Sequence, residues 1–404
     1  MLKNADWMEA RDLLLKMARP VETESVPLEE CGGRVLAFDL LAKEDVPAFD
    51  RSAYDGYALR AEDVKNASRD APITLRITET VQAGREAAFP VQRGTAARVM
   101  TGAKIPAGAD CVINFERTAF TEETVTLFQP LRPGDNIVKR GEDVKAGALL
   151  CPRGTVIDPG LAGTLAAQGV VQVQVYRRAV VGLISTGSEV VEAWENPGPG
   201  KIRNANRASF TALLQKEGCA VRYLGLAADG TEKVCALIRE GLRTCDAVLI
   251  TGGVSVGQWD VTPAAMEMAG AEILVRGVDM KPGMACAYGM AGNKLIFGLS
   301  GNPASSVTNF CACVLPAVRA MTGRKDPMPR EITLPLEKGF GKKSPSARFL
   351  RGRMQMAGET LSFLPANSQG NAVLSSAIGC EAFLIIPAGS GPVEAGTRLR
   401  GFLL

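Results

Sequence analysis

Strand and helix patterns alternate regularly between residues 177 and 323. Short apolar runs rich in branched residues predict buried strands, and they fall at 179–186, 220–227, 247–250, 274–278 and 294–301. The runs between them have helical spacing and predict helices at 207–217, at 231–243, from Pro263 onward and from Pro303 to about Met321. This order of elements restricts the fold to a mostly parallel, doubly wound sheet with helices on both faces.

One predicted strand runs into a glycine-rich segment, CDAVLITGGVSVGQWD, at residues 245–260. Its loop contains Gly252, Gly253, Ser255 and Gly257, and Asp260 follows. Glycines let the backbone turn sharply and leave N–H groups uncovered, so such a loop after a strand can hold an anion. A tight strand-to-helix turn whose glycines serve only packing explains the same residues, so both interpretations stay open here.

Polar residues collect where the predicted strands end. They are Glu189, Asp229, Asp260, Lys281 and the loop Gly301-Asn302-Pro303. The carboxyl ends of parallel strands meet at one edge of a sheet, and ligands bind outside that edge. Because carboxylates alone would repel phosphate, a bridging Mg²⁺ is the natural partner. The pattern therefore predicts a site for a phosphorylated ligand held by backbone N–H groups and Mg²⁺.

The chain before residue 177 carries a helix pattern followed by β patterns. Residues 5–18 place apolar side chains on one helical stripe, with Asn4 as the predicted N-cap. Residues 45–60, DVPAFDRSAYDGYALR, predict an ordered loop that carries carboxylates, with a hairpin turning at Asp55-Gly56 as the alternative. From about 72 to 130, short alternating runs between turn residues predict a small β domain.

The end of the chain returns to β patterns. After the Pro-rich segment 326–329, runs such as EITLPLE and AFLIIPA predict a small barrel or sandwich. Arg348, Arg351 and Arg353 alternate along one run. We interpret them as an exposed strand face, with an anion site as the alternative.

Composition excludes several classes of function. A chain of 404 residues needs more than one domain. A net charge of +3 without a basic stripe disfavours nucleic-acid binding, and the apolar runs are shorter than a membrane span. The absence of histidine excludes Ser-His and Cys-His nucleophiles and His-bound zinc. Ten cysteines without a CxxC pair, after an N-terminus without an apolar signal core, favour a reducing cytoplasm.

Several motifs in one order resemble a known family. They are DVPAFDRSAYDGYALR, RVMTGAKIP, RGEDVKAG, LISTGSE, GKIRNANR, ITGGVSVGQWD, MKPG and GLSGNPAS. Together they resemble the MoeA/gephyrin family of molybdopterin molybdenumtransferases over nearly the whole chain. The order of the motifs makes this resemblance specific, and it disfavours an unrelated nucleotide-dependent enzyme on a similar sheet.

The resemblance implies an elongated four-domain subunit. Placed on this sequence, its parts are a linker and dimerisation domain, a small β-rich domain, an α/β molybdopterin-binding domain and a C-terminal β-barrel, at 1–45 plus 145–176, 46–144, 177–326 and 327–404. It implies a homodimer with shared sites, which inserts molybdate into adenylylated molybdopterin with Mg²⁺ and releases AMP. The protein that adenylylates the pterin and the acceptor molybdoenzymes are the implied partners.

The resemblance also implies site residues. The expected catalytic residues are Asp55, Asp143, Glu189, Asp229, Asp260 and Lys281, and Glu189, Asp229 and Asp260 are the expected Mg²⁺ ligands. With the glycine loops, the expected substrate-binding residues are Thr101, Gly252, Gly253, Ser255, Gly257, Ser300, Gly301, Asn302, Pro303 and Ser376.

Some positions depart from the family's frequent residues. They are Val138, Ser188, Asn204, Met284, Ala285 and Ser300. Met284 and Ala285 stand where Lys and Pro are frequent, and each of the six changes removes charge or rigidity near the expected site. The departures leave open a divergent paralogue that inserts tungstate, or one that binds molybdopterin as a carrier or scaffold without insertion.

Overall fold

The computed structural model describes residues 1–228, 230–254 and 261–404. Its strands in chain order are β1 (Leu2–Asp6), β2 (Thr23–Pro27), β3 (Val35–Leu36), β4 (Leu40–Leu41), β5 (Arg51–Ser52), β6 (Gly56–Leu59), β7 (Ile73–Val81), β8 (Thr95–Val99), β9 (Cys111–Asn114), β10 (Thr118–Phe120), β11 (Thr124–Leu127), β12 (Ile137–Val138), β13 (Leu149–Cys151), β14 (Gln172–Tyr176), β15 (Val180–Thr186), β16 (Val190–Val191), β17 (Ile202–Arg203), β18 (Ala220–Ala227), β19 (Ala247–Thr251), β20 (Glu272–Lys281), β21 (Cys286–Ala291), β22 (Lys294–Leu299), β23 (Glu331–Pro335), β24 (Ala347–Ala357), β25 (Thr360–Pro365), β26 (Ala382–Ile386) and β27 (Arg398–Leu403). The α-helices are α1 (Trp7–Met17), α2 (Ala61–Val64), α3 (Pro159–Ala167), α4 (Ala205–Lys216), α5 (Thr231–Thr244), α6 (Val261–Met268), α7 (Pro303–Asn309) and α8 (Leu315–Met321), and a π-helical segment, Phe310–Val314, joins α7 to α8.

The chain forms two compact units. One contains Met1–Phe38, Arg153–Ala162 and Gln172–Leu404, and the other contains Asp39–Pro152 and Gly163–Val171. The strands of the predicted α/β and C-terminal segments, 177–326 and 327–404, share one large sheet within the first unit. The division into four domains stays a prediction.

The centre of the large sheet confirms the predicted doubly wound α/β class. Its strand order is β18-β15-β19-β22-β21-β20, and the first four strands are parallel. Strand β21 was not predicted, and it runs antiparallel to both of its neighbours. Since β15 precedes both β18 and β19 in the chain but lies between them, the strand order reverses between β15 and β19. Ligands of such sheets bind at that reversal.

Side chains that alternate along the strands build a core on each face of this sheet. Leu183 of β15 and Leu249 of β19 belong to one cluster, which includes residues of α1, α4 and α8. Ile184 and Ile250, the next residues along the same strands, belong to the other, which includes residues of α5 and α6. The alternation follows from the two-residue repeat of a strand, and it confirms the prediction of helices on both faces.

The first helix begins two residues later than the predicted cap implies. Asn4 was predicted as the N-cap, but Asp6 caps α1, and its Oδ1 accepts from the backbone N–H of Met8 at 2.8 Å and of Glu9 at 3.3 Å. Asn4 lies within β1, which adds to β20 as a parallel strand. The predicted apolar stripe is correct, because Ala10 and Leu14 are fully buried.

The second unit confirms the predicted small β domain. Its sheet has the order β10-β11-β7-β8-β6-β9. The alternative of a hairpin at Asp55-Gly56 is wrong, because Gly56 begins β6, whose partners β8 and β9 lie far along the chain. A Cβ at Gly56 would lie 1.9 Å from the carbonyl oxygen of Ile113. Glycine therefore serves the close approach of β6 and β9.

The C-terminal strands form the predicted small barrel. β24, β26, β27 and β23 pair in that order, and β25 pairs with the other side of β24. A bridge between Leu336 and Phe363 joins the two ends of the series and closes it. β24 also pairs with β20, so the barrel continues the large sheet.

Candidate functional site

A cleft of about 1220 Å³ lies outside the carboxyl ends of the parallel strands. Thr186 ends β15 and Thr251 ends β19, so the two strands at the reversal of strand order both open into it. The turn after β20 and the loop after β22 complete its walls. Of the predicted site residues, the structure brings these together in the cleft: Glu189, Gly252, Gly253, Lys281, Ser300, Gly301, Asn302 and Pro303.

The glycines of the cleft allow its loops to pack closely. Gly252 has φ +100°, and a Cβ there would lie 2.4 Å from Thr186 Oγ1. Gly253 has φ +64°, and a Cβ there would lie 2.6 Å from Thr262 Oγ1. A Cβ at Gly301 would meet the Cα of Gly252 at 3.6 Å. Both a left-handed backbone and close packing therefore require glycine at 252 and 253.

Cations dominate the described wall of the cleft. Its lysines and arginines are Lys3, Arg203, Arg276 and Lys281. Within the described ranges, Glu189 is the one carboxylate that lines the cleft. Such a surface attracts anions, since low-dielectric walls strengthen the field inside a cleft.

The predicted Mg²⁺ ligands are only partly described. Asp229 and Asp260 lie outside the described residues, as do the predicted substrate-binding residues Ser255 and Gly257. Glu189 is exposed, and its Oε2 lies 2.6 Å from the position of a Cβ at Gly187. Among the residues with described positions, no three His, Cys, Asp or Glu side chains form a group that could hold one metal ion.

Three predicted site residues lie in the second unit. Asp55 Oδ1 accepts from Thr101 N at 2.6 Å and from Thr101 Oγ1 at 2.8 Å. Both hydrogen bonds lower the pKa of Asp55 below its usual 3.8, and the bond from the backbone N–H has the larger effect. Asp143 is exposed in the loop after β12, and its backbone N–H donates to Val46 O at 3.0 Å.

Neighbouring charges tie the loop of Asp143 to the segment 45–60. Lys139 Nζ lies 2.9 Å from Asp50 Oδ2, and Arg140 Nε lies 2.5 Å from Asp45 Oδ2. The side chains of Lys139, Asp50 and Arg140 are largely exposed, so each pair contributes little to stability alone. Together they fix the loop that carries Asp143.

Ser376 lies in a short 3-10 helix, Leu374–Ala377, within a loop that an unpredicted residue holds. Arg348 and Arg351 were interpreted as an exposed strand face, but both are buried and Arg351 is only 1% exposed. Arg351 Nε donates to Ser376 Oγ at 3.2 Å, and Nη2 donates to the carbonyl oxygen of Gly370 at 3.1 Å. Burial lowers the pKa of Arg351. Asn371, Ala372 and Leu374 of the same loop line the cleft.

The positions that depart from the family have identifiable surroundings. Met284 is 56% exposed and lines the cleft with Ala285 and Lys281. Asn204 is buried and caps α4, because its Oδ1 accepts from Arg207 N at 3.1 Å. Ser300 Oγ accepts from Asn302 N at 3.2 Å. Asn204 and Ser300 therefore have local structural roles, while Met284 presents a neutral side chain to the cleft.

No helix in the described part of the chain is long and apolar enough to cross a membrane.

Family models match most of the chain. The MoeA N-terminal region (domains I and II) matches residues 5–169, the probable molybdopterin-binding domain matches 182–320, and the MoeA C-terminal region (domain IV) matches 333–400.

Curated relatives are similar along nearly their whole length. A molybdopterin molybdenumtransferase of Bacillus subtilis (strain 168) is 37% identical over 387 residues, which cover 95% of this chain and 90% of the relative. One of Staphylococcus epidermidis is 34% identical over 388 residues, covering 96% and 93%.

Solved structures have the same fold. A molybdopterin biosynthesis MoeA protein from Pyrococcus horikoshii OT3 has a TM-score of 0.86 at 31% identity and covers 100% of both chains. A second crystal structure, of a molybdopterin biosynthesis MoeA protein from Pyrococcus horikoshii, has a TM-score of 0.82 at 30% identity and covers 99% of this chain and 98% of that one.

Proposed function

This chain belongs to the MoeA family of molybdopterin molybdenumtransferases, and we propose that its cleft joins molybdate to adenylylated molybdopterin and releases AMP. Membership makes the chain a transferase with a role in molybdenum cofactor biosynthesis. The observation that supports the proposed reaction most strongly is the charge of the cleft. The pterin nucleotide and molybdate are both anions, and their approach costs Coulomb energy unless cations compensate.

Two regions of the cleft suit two different anions. Gly252 N donates to Leu299 O at 2.8 Å, so the backbone N–H groups from Gly253 onward would bind the phosphate side of the pterin, as loops with left-handed glycines commonly do. Lys281 and the loop from Ser300 to Pro303 would bind the oxyanion. Lys281 is exposed in the cleft and forms no ion pair with any described residue. Its charge is therefore available to a ligand.

Three carboxylates, Glu189, Asp229 and Asp260, would hold Mg²⁺. Glu189 fits this role because its carboxylate is exposed at the cleft and supplies the hard oxygen ligands that Mg²⁺ prefers. When bound, Mg²⁺ would polarise the phosphoanhydride bond that is broken as AMP leaves.

The sulfur ligands of molybdenum would come from the pterin dithiolene. Cys286 lines the cleft, but burial raises the pKa of its thiol to about 11. Because the thiolate is the metal-binding form, this cysteine is protonated at neutral pH and does not compete for the metal.

We propose a homodimer whose sites combine Asp55, Thr101 and Asp143 of one subunit with the cleft of the other. Its partners would be the protein that adenylylates molybdopterin and the acceptor molybdoenzymes. Its compartment would be the cytoplasm, which suits ten free cysteines.

The test is AMP release from purified adenylylated molybdopterin as molybdate is titrated. Release that requires molybdate and Mg²⁺ would support the proposal, and tungstate in a parallel titration would reveal the selectivity for the metal. A protein that binds the pterin nucleotide but releases no AMP at any molybdate concentration would be a carrier or scaffold instead.

A further inference from the structure

The N-terminal strand places a second cation beside Arg276 in the cleft. Lys3 of β1 is the ladder partner of Arg276 of β20 in a parallel pairing. Partners in a ladder direct their side chains to the same face, and both residues line the cleft.

Two neighbouring cations repel each other unless an anion joins them. Like charges directly opposite on adjacent strands destabilise a sheet. The side chain of Lys3 is exposed and forms no hydrogen bond or ion pair in the part of the chain that the structure describes. Arg276 keeps its charge at neutral pH, although burial lowers its pKa. Lys3 therefore adds a positive charge beside that of Arg276, and an anion that contacts both side chains would reduce their repulsion.

The pair lies beside the turn that carries Met284. Gly277 follows Arg276 and has φ +76°. A Cβ at Gly277 would lie 2.7 Å from Asn4 Oδ1 and 3.7 Å from the carbonyl oxygen of Met284. This close packing brings β1 against the turn, where Met284 is neutral and Lys281 is charged. The N-terminal strand thus adds the positive charge of Lys3 to the cleft wall, where Met284 has none.

We propose that Lys3 and Arg276 together bind a tetrahedral oxyanion, which is either molybdate or the phosphate group of the nucleotide substrate. The inference relies on the proposed function for the identity of these two anions. It assigns a specificity-determining role to the N-terminal strand, which no motif in the sequence indicated.

Calorimetry on the full chain tests the pair with molybdate, AMP and adenosine as separate ligands. Lys3→Gln should weaken binding of one or both anions about two- to fivefold, the range of a partly exposed ion pair, and Lys3→Glu should weaken it further. Adenosine binding should not change, because adenosine has no phosphate. Lys16→Gln is the matched control, since Lys16 is an exposed lysine of α1 outside the cleft.

The results would distinguish binding of molybdate from binding of phosphate, and failure of the anion site from failure of the proposed reaction. An effect on molybdate alone assigns the pair to the metal oxyanion, and an effect on AMP alone assigns it to phosphate. Met284→Lys in the Lys3→Gln background should restore part of the lost affinity. Unchanged affinity of Lys3→Glu for both anions would overturn the inference. A wild-type protein that binds these anions but releases no AMP would contradict only the proposed reaction, and one that binds neither would overturn both.

Discussion

Arg351 Nε donates a hydrogen bond to Ser376 Oγ at 3.2 Å. The same guanidinium donates to Gly370 O, so one buried side chain holds both ends of the segment 370–376. Residues between these ends line the cleft. Arg351 is therefore a positioning residue, which acts on the ligand through the loop.

Arg351→Gln should release this loop. The change removes hydrogen bonds from a buried site, so we expect a loss of about 1–3 kcal/mol in the free energy of unfolding. Hydrogen exchange of residues 367–380 should accelerate, and the KM for the pterin nucleotide should rise more than kcat falls. Arg353→Gln, which changes an exposed arginine two residues farther along the same strand, is the control. Unaltered exchange in Arg351→Gln would show that other contacts hold the loop.

Gly252→Ala should destabilise the α/β part of the chain. The new Cβ would lie 2.4 Å from Thr186 Oγ1 and 2.7 Å from Thr186 O, at φ +100°. Strain of this kind costs about 1–3 kcal/mol, which urea unfolding would measure. Gly198→Ala is the matched control, since nothing lies within 4 Å of its Cβ position. Equal stability of the two variants would mean that the loop relaxes without cost.

Thr101→Val should raise the pKa of Asp55. In the folded protein the hydrogen bonds from Thr101 N and Oγ1 hold this pKa below 3.8, so they stabilise the fold above that pH and the contribution is lost as pH falls through the folded pKa. Removing Oγ1 leaves one donor, and the titration should move upward toward 3.8. Carboxyl NMR titration measures the shift, and Thr101→Ser should reverse it. An identical titration in Thr101→Val would exclude the hydroxyl as a cause.

Local sequence patterns were sufficient to predict the elements that pack through apolar side chains. In β15 and β19, successive side chains point alternately into the two cores, and their apolar residues are visible in the sequence. β1 and β21 were missed for a physical reason. β1, LKNAD, is largely polar and pairs with β20 through its backbone, while β21, CAYGMA, is rich in small residues.

The cleft was predicted in part because strand ends of a parallel sheet meet at one edge. That rule predicted that Glu189, Gly252 and Lys281 lie together, and all three line the cleft. It could not find Arg351 or Lys3, since each reaches its place through pairing with a strand distant in sequence. A series of arginines has the same sequence pattern whether the strand face is exposed to solvent or buried.

Met284→Lys should lower the molybdate concentration needed for half-maximal AMP release. Met284 is exposed in the same turn as Lys281, so a lysine there would add a positive charge to the wall that faces the oxyanion. We expect a change of about two- to fivefold that shrinks at high salt. Met284→Gln controls for the loss of the thioether. A requirement for molybdate that does not change in the lysine variant would place the oxyanion elsewhere.

Subunit exchange tests the shared site directly. Asp55 belongs to the second unit and Lys281 to the first, and the proposal takes them from different subunits of a homodimer. Asp55→Ala and Lys281→Ala should each be inactive alone. After exchange, each mixed dimer would contain one site with both lesions and one intact site, so activity should return to about a quarter of the wild-type level, because half of the dimers are mixed. If each site lies within one subunit, every site keeps a lesion and mixing restores nothing. Native mass spectrometry would verify the exchange, and continued inactivity of a verified mixture would rule out the shared site.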